Sequence, residues 1–321
     1  MSIGTVTVKK VNEKNLVFIC GALRSGSSLT HLILDHHPEI NNPGEFDFLF
    51  DQISAGVTFP VMAAYEEWLS VHRIFQSKLL SIDSSLDYPE LFDSFIAQLA
   101  QANCALTLNV HRHFDLIPYL FPNVKFIHLI RDPRDVARSS IGMGWAGNVY
   151  YGVDHWIETE KSWERLQEKV APEQYMELSF EELILSPQPV LQKACDFIGV
   201  PYSESMLNFS DSSTYSELDP SLVYQWQKKL SKREIQYVES KAHIFMESLG
   251  YTLSGHPLIT FGILEKIKLK IANKLFKLQF SIRRHGLVLV FKHRLSRLLN
   301  LKSMNKQVTL KMNDINKLYL K

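Results

Sequence analysis

Cysteine is scarce in this chain: Cys20, Cys104 and Cys195 are the only three in 321 residues. An odd, widely spaced set, two of it inside apolar runs, suggests neither a disulfide framework nor a zinc site and points to a reducing compartment. Long hydrophobic runs are also missing, since none reaches the about 18 residues of a membrane span. Met1 to Asn15 is polar and Lys-bearing, unlike a secretory leader, so the expectation is a cytoplasmic protein. Net charge is nearly absent at +1, with 35 Lys and Arg against 34 Asp and Glu. The whole molecule therefore has no bias toward polyanions, and no nucleic-acid motif is found. That balance hides a division, because from Phe261 to Lys321 the only acids are Glu265 and Asp314 among 15 Lys and Arg. The tail is basic and the body acidic.

What is present is enough apolar content, 45%, for a sizeable core. Leu16–Cys20 is a continuous apolar run too short for a helix, and similar runs recur at Ala105–Val110, Val124–Ile130 and, more weakly, Tyr175–Leu178. Helical patterns lie between them at Ser28–His36, Leu91–Ala100 and Val136–Ser140. Later, Ser179 to Glu182 reads as a capping box, the helical pattern runs over Val190–Ile198 until Gly199 and Pro201 stop it, and it returns over Lys228–Leu249; Ser203–Pro220 reads as a surface loop. Buried strands alternating with helices predict an α/β fold with a doubly wound parallel sheet. Ligands in such sheets bind beyond the carboxyl ends of the strands.

Gly21-Ala22-Leu23-Arg24-Ser25-Gly26-Ser27-Ser28 follows the first run and precedes a helix. Its two glycines have P-loop spacing, but serine replaces the lysine that reaches the outer phosphates of a nucleoside triphosphate. The backbone amides, the hydroxyls and Arg24 still form an anion cradle, suited to a smaller anion pair such as a phosphosulfate. After the third run comes Arg131-Asp132-Pro133-Arg134-Asp135. Asp132 predicts an N-cap, Pro133 the first helical position and Asp135 the closing residue of a capping box. Arg131 is not explained by capping; with Arg138, Ser139 and Ser140 down the same helix it predicts a second anion site.

Arg24 to Leu29, Asp35 to Pro38, Gly44-Glu45, Phe121-Pro122, Ile130 to Val136 and Ser139 together resemble the sulfotransferase superfamily, and most of all its bacterial branch that is similar to tyrosylprotein sulfotransferases. The likeness runs from about Leu16 to Tyr251. It implies a P-loop-like sulfotransferase domain over residues 1–260, with 261–321 as a basic helical extension. It also implies transfer of a sulfuryl group from 3'-phosphoadenosine 5'-phosphosulfate (PAPS) to an acceptor hydroxyl. By the resemblance, Arg24, Ser25, Gly26, Ser27 and Ser28 cradle the 5'-phosphosulfate, and Arg131 with Ser139 binds the 3'-phosphate. Leu29 stands where many small-molecule members place an adenine-stacking tryptophan, and Tyr215 is a candidate replacement.

Sulfuryl transfer needs a base and fixed positive charge. Glu45, at the Gly-Glu position where the tyrosylprotein enzymes carry their base, is the first candidate, with Asp47 close by. His111 is the rival base and Arg112 a candidate charge stabiliser, both directly after the second apolar run. Trp145, among Gly142, Gly144 and Gly147, is a candidate wall of the acceptor site. The sulfuryl group carries less charge than a terminal phosphoryl, so no metal is expected. The acceptor stays open among a carbohydrate, a lipid-linked sugar, a small alcohol and a protein tyrosine.

In the tail, Ile267, Ile271, Leu275, Leu278 and Ile282 fall on one helical face and Lys266, Lys270, Lys274 and Lys277 on another. Packing of the apolar face on the acidic body is the simpler expectation. The alternative is peripheral contact with an anionic membrane at its inner face. Two other functions compete: a divergent P-loop nucleotide kinase or hydrolase, which requires magnesium-dependent ATP binding, and a non-catalytic nucleotide-binding protein of the membrane surface.

Overall fold

The computed structural model describes residues 13–54, 57–209 and 218–319. Tyr215 therefore lies outside the described residues. Five strands form one parallel sheet: β1 (Leu16–Cys20), β2 (Ile40–Asn41), β3 (Ala105–Val110), β4 (Lys125–Ile130) and β5 (Tyr175–Ser179), in the order β2-β3-β1-β4-β5. The four apolar runs are four of these strands, to within a residue at their ends. β2 has only two residues, too few for a pattern to show.

The order explains the composition. β1 sits between β3 and β4, with Phe18 paired to Leu108 on one side and Phe126 on the other. A strand covered on both faces has no polar side, so β1 and β3 are buried at every residue. The Phe18 ring lies 5.9 Å from both Phe50 and Phe121 and 6.3 Å from Phe126, which packs aromatic rings into the centre of the core.

The chain divides into two compact units. The first comprises Met1–Ala22, Gly26–Ile130 and Lys161–Leu218 and contains the whole sheet. Its helix α1 (Ser27–Asp35) follows β1 directly. The helix Tyr88–Leu99 opens with an Asp87/Glu90 capping box and buries Leu91, Phe92, Phe95 and Ile96. Ser179 accepts from the Glu182 amide at 3.3 Å and opens the helix Phe180–Leu185 as its sequence predicts, but only this half of the expected box is present, and the Ser179 hydroxyl donates to the Glu181 carboxylate at 3.2 Å. Pro187–Ile198 ends on Gly199 at φ +102°, the left-handed cap that glycine tolerates.

The second unit comprises Leu23–Ser25, Arg131–Glu160 and Asp219–Lys321. Asp132 caps the helix Pro133–Gly142 by accepting from the Arg134 amide at 2.9 Å, with Pro133 in the first turn. The predicted capping box does not form. The Asp135 carboxylate turns instead to the amides of Trp226 (2.7 Å) and Gln225 (3.2 Å), while the buried Arg134 guanidinium joins Asp132 to Glu239 and lies 3.6 Å from the Trp226 ring. By accepting from this neighbouring segment, the carboxylate satisfies donors that a local box would leave unpaired.

The tail forms three helices, Ile263–His285, Leu287–Leu298 and Lys302–Lys317. The first packs through Leu269, Asn273, Phe276 and Phe280 onto residues 144–148. Asn273 Oδ1 accepts from the Gly147 amide at 2.6 Å, the Leu269 carbonyl accepts from Asn148 at 3.0 Å, the Phe276 Cβ lies against Gly147, and the Phe280 ring covers Gly144. Spacing puts Ile267, Ile271 and Leu275 on the opposite side of that helix, and they are 48%, 53% and 61% exposed. This part of the apolar stripe therefore faces outward rather than onto the body, because polar and aromatic residues occupy the packed face. Among the described residues no helix is long and apolar enough to cross a membrane.

Candidate functional site

The turn after β1 is shaped by close approach. The Gly21 amide donates to the Val110 carbonyl at 3.2 Å, and a Cβ at Gly21 would lie 2.5 Å from the Leu129 carbonyl oxygen. Gly26 has φ +98°, and a Cβ there would meet the Phe180 ring at 2.2 Å. Both glycines are thus required by protein neighbours. Arg24, with φ +75°, holds a left-handed conformation that a non-glycine residue adopts at a cost. α1 begins with no side-chain cap, so the amides of its first turn remain available to an anion.

In the second unit, residues distant in sequence meet. The Arg24 Nε donates to Ser139 Oγ at 2.9 Å. Arg131 donates from Nη1 to the Arg24 carbonyl at 3.0 Å and from Nη2 to the Leu222 carbonyl at 2.8 Å, while its own carbonyl accepts from the Trp156 indole at 3.1 Å. The sequence-predicted Arg24, Arg131 and Ser139 are therefore one cluster. No carboxylate among the described residues pairs with Arg24, which leaves its charge to act on a ligand. Ser25 Oγ, in the same turn, is fully buried and has no hydrogen-bond partner among the described residues. A buried hydroxyl without a partner is costly and marks a place where a ligand oxygen would be welcome. Among the described residues Arg138 reaches only Gln225 Oε1, at 3.4 Å.

In the first unit, the end of β3 organises the acids and bases. Asn109 donates to the Ser27 carbonyl at 3.0 Å and accepts from Asn42 at 3.2 Å, and Asn42 in turn accepts from the Gly44 amide at 2.9 Å. Phe46 donates its amide to the Asn109 carbonyl at 2.8 Å, and Asn109 donates to the Gly44 carbonyl at 2.9 Å. Glu45 is thereby pinned beside β3 through its backbone. Its half-buried carboxylate makes no hydrogen bond or ion pair among the described residues.

His111 is committed. Its Nδ1 lies 2.7 Å from Asp47 Oδ2 and its Nε2 3.0 Å from Ser27 Oγ, and its amide donates to Asp47 Oδ1 at 2.7 Å. Burial works against the charge on each partner. For Asp47 the His111 charge and hydrogen bonds, helped by Arg112, outweigh it and lower the carboxyl pKa; for His111 the Asp47 charge and hydrogen bond, helped by Glu45, outweigh it and raise the imidazole pKa. Arg112 forms a two-point pair with Asp51, both contacts at 2.6 Å, so part of its charge is already used.

Some neighbours left no sequence signal. Lys78 donates to the Pro43 carbonyl beside Glu45 and lies 5.0 Å from the Phe46 ring; burial pulls its pKa down, against the pull of Glu45. Nothing in its local pattern announces this, because a loop brings it in from 33 residues away. Asp47 was visible only as an acid near Glu45, and Asn109 only as part of the run Ala105–Val110. Leu29 is 3% exposed and belongs to the core side of α1. Trp145 follows the left-handed Gly144 in the loop that ends its helix, is 40% exposed, and its ring lies 6.3 Å from His155, edge to face.

A family model described as the sulfotransferase family matches residues 16–204, more than half of the chain. A protein-tyrosine sulfotransferase of Drosophila melanogaster is 23% identical over 220 residues, which are 62% of this chain and 41% of that protein. An uncharacterized protein of Aquifex aeolicus is 26% identical over 213 residues, 61% of this chain and 27% of its own length. The chain thus spans less than half the length of either relative. Among solved structures, the sulfotransferase domain from the curacin biosynthetic pathway superposes with a TM-score of 0.58 at 20% identity, covering 74% of this chain and 98% of that one. That likeness shows a shared fold.

Proposed function

Because the chain belongs to the sulfotransferase family, we propose that it transfers the sulfuryl group of PAPS to an acceptor hydroxyl, with Glu45 as the base. The observation that carries this reading is the meeting of Arg24, Arg131 and Ser139 beside the orphaned, buried Ser25 hydroxyl. The residues fit a doubly anionic nucleotide. Arg131 and Ser139 hold the 3'-phosphate; Arg24, Ser25, Gly26 and Ser28 take the phosphosulfate together with Ser27, using the uncapped start of α1. When bound, PAPS supplies an electrophilic sulfur and a phosphate leaving group.

Glu45 takes the acceptor proton as the acceptor oxygen bonds to sulfur and the bond from sulfur to the bridging phosphate oxygen breaks. Adenosine 3',5'-bisphosphate leaves. Glu45 suits this work better than His111, because its carboxylate is unengaged while both ring nitrogens of His111 are occupied. Lys78 and Arg112 keep positive charge near that carboxylate. The relatives' names put tyrosine among the hydroxyls this family sulfates, and a hydroxyl acceptor is the class we assign here. The test is incubation of the purified chain with PAPS carrying labelled sulfur and cell extract. A labelled product that disappears in Glu45→Gln supports the reading; absence of label transfer to any acceptor, with no binding of the bisphosphate, overturns it.

The extension 261–321 fits an anionic lipid surface at the inner membrane face. Ile263, Leu264, Ile267, Ile271 and Leu275 are exposed on the side of their helix opposite its packed face, with Lys274 among them, Lys266, Lys270 and Lys277 along one border and Lys268 along the other. Each near-surface cation contributes about 1 kcal/mol on such a surface. Cosedimentation with phosphatidylglycerol vesicles but not with phosphatidylcholine vesicles is the expected result.

A further inference from the structure

We propose that Asp47, His111 and Ser27 form a relay in which His111 acts as a cation, not as a base, and turns the Ser27 hydroxyl into a hydrogen-bond donor toward the anion held at the start of α1. The proposal rests on the sulfotransferase reading of the same site and adds Asp47 as a positioning residue. No bond is made or broken in the relay; a proton is held.

The geometry permits two states. With the ring neutral and its proton on Nδ1 toward Asp47, Nε2 can only accept, so Ser27 gives its proton to the ring and presents lone pairs to the anion. With the ring protonated, Nε2 donates, Ser27 accepts, and the hydroxyl proton is released toward the anion. Only the second state helps bind a phosphosulfate or bear the charge of its departing phosphate. Asp47 selects that state. Its carboxylate grips His111 at the ring and at the backbone amide, so the imidazole cannot swing away, and it supplies the counter-charge inside the core. Three surrounding charges bear on the pair. Glu45 favours the imidazolium, Arg112 opposes it, and Asp51 holds Arg112. Cys20, at the end of β1, is kept a thiol by burial and then by the Asp47 charge; His72 feels Asp47 less than it feels burial and the Asp51 and Arg112 charges.

The pH dependence has a definite sign. The imidazolium is present below the raised His111 pKa and is lost as pH rises through it, so affinity for the anion falls with rising pH. A base would give the opposite trend in rate. The experiment is calorimetry of adenosine 3',5'-bisphosphate with the full chain between about pH 5 and 9, the range in which a histidine titrates, for wild type, Asp47→Asn and Ser27→Ala. Ser27→Ala leaves the acid and imidazole in place and corrects for titration of the ligand itself. The expected advantage of wild type over Ser27→Ala is about tenfold at acid pH, as for one charge-assisted hydrogen bond, and it vanishes above the His111 pKa. In Asp47→Asn the advantage should vanish about one pH unit earlier. An advantage that is constant across pH, or that grows toward alkaline pH, overturns the relay while leaving the sulfotransferase reading intact. If wild type gives no heat with the bisphosphate at any pH, it is the sulfotransferase reading that fails. Thermal melts monitored by circular dichroism confirm that each variant is folded.

Discussion

The sheet and the C-terminal helices use apolar residues in opposite ways. β1 and β3 bury every side chain, whereas in the three helices from Ile263 to Lys317 only Val290 and Val308 are buried hydrophobics and Ile267, Ile271, Leu275, Leu287 and Phe291 are exposed. A strand in mid-sheet is satisfied by its own fold. An amphipathic helix has two faces, and once Asn273, Phe276 and Phe280 commit one to residues 144–148, the other is left exposed. The difference teaches that equal hydrophobicity marks core in one region and an exposed stripe in the other.

That contrast can be broken by substitution. The largest expected effect lies at the strand ends, where Glu45→Gln should lower kcat by about 10²–10⁴-fold with no change in melting temperature, in a steady-state assay with labelled donor. Next, Phe18→Ala in mid-sheet should cost about 3–5 kcal/mol of stability by chemical denaturation. A smaller loss would mean that the aromatic core is less tightly packed than the ring distances imply. Arg131→Ala should weaken bisphosphate binding by about 1.5–3 kcal/mol, the range for hydrogen bonds to a charged group, measured by calorimetry. Smallest is the tail: Ile267→Ser, Ile271→Ser and Leu275→Ser should each shift stability by less than about 0.5 kcal/mol and leave turnover unchanged, yet abolish binding to phosphatidylglycerol vesicles. If these serines destabilised the fold as Phe18→Ala does, the two regions would not differ in kind.

Much of this was legible in the residue order. Four of the five strands announce themselves because burial on both faces produces an unbroken apolar run, and the Ser179 cap and the Gly199 stop are local signals that local backbone chemistry obeys. β2 escaped because two residues carry no period. The Asp132–Asp135 box failed for a different reason: local spacing allowed it, but the amides of Gln225 and Trp226, about 90 residues away, compete for the same carboxylate. At the site, Arg24, Arg131, Ser139, Glu45 and His111 could be named from motif and position. Lys78 could not.

The sequence by itself determined which residue types stand at the ends of which strands, because strand and helix periodicity and capping are short-range properties of the chain. Only the tertiary structure decided which of them are engaged. The difference between a free Glu45 carboxylate and an imidazole locked between Asp47 and Ser27, or between the packed and the open face of one helix, is set by contacts between residues tens of positions apart. Hydrogen bonding and burial act across space, and spacing along the chain carries no record of them.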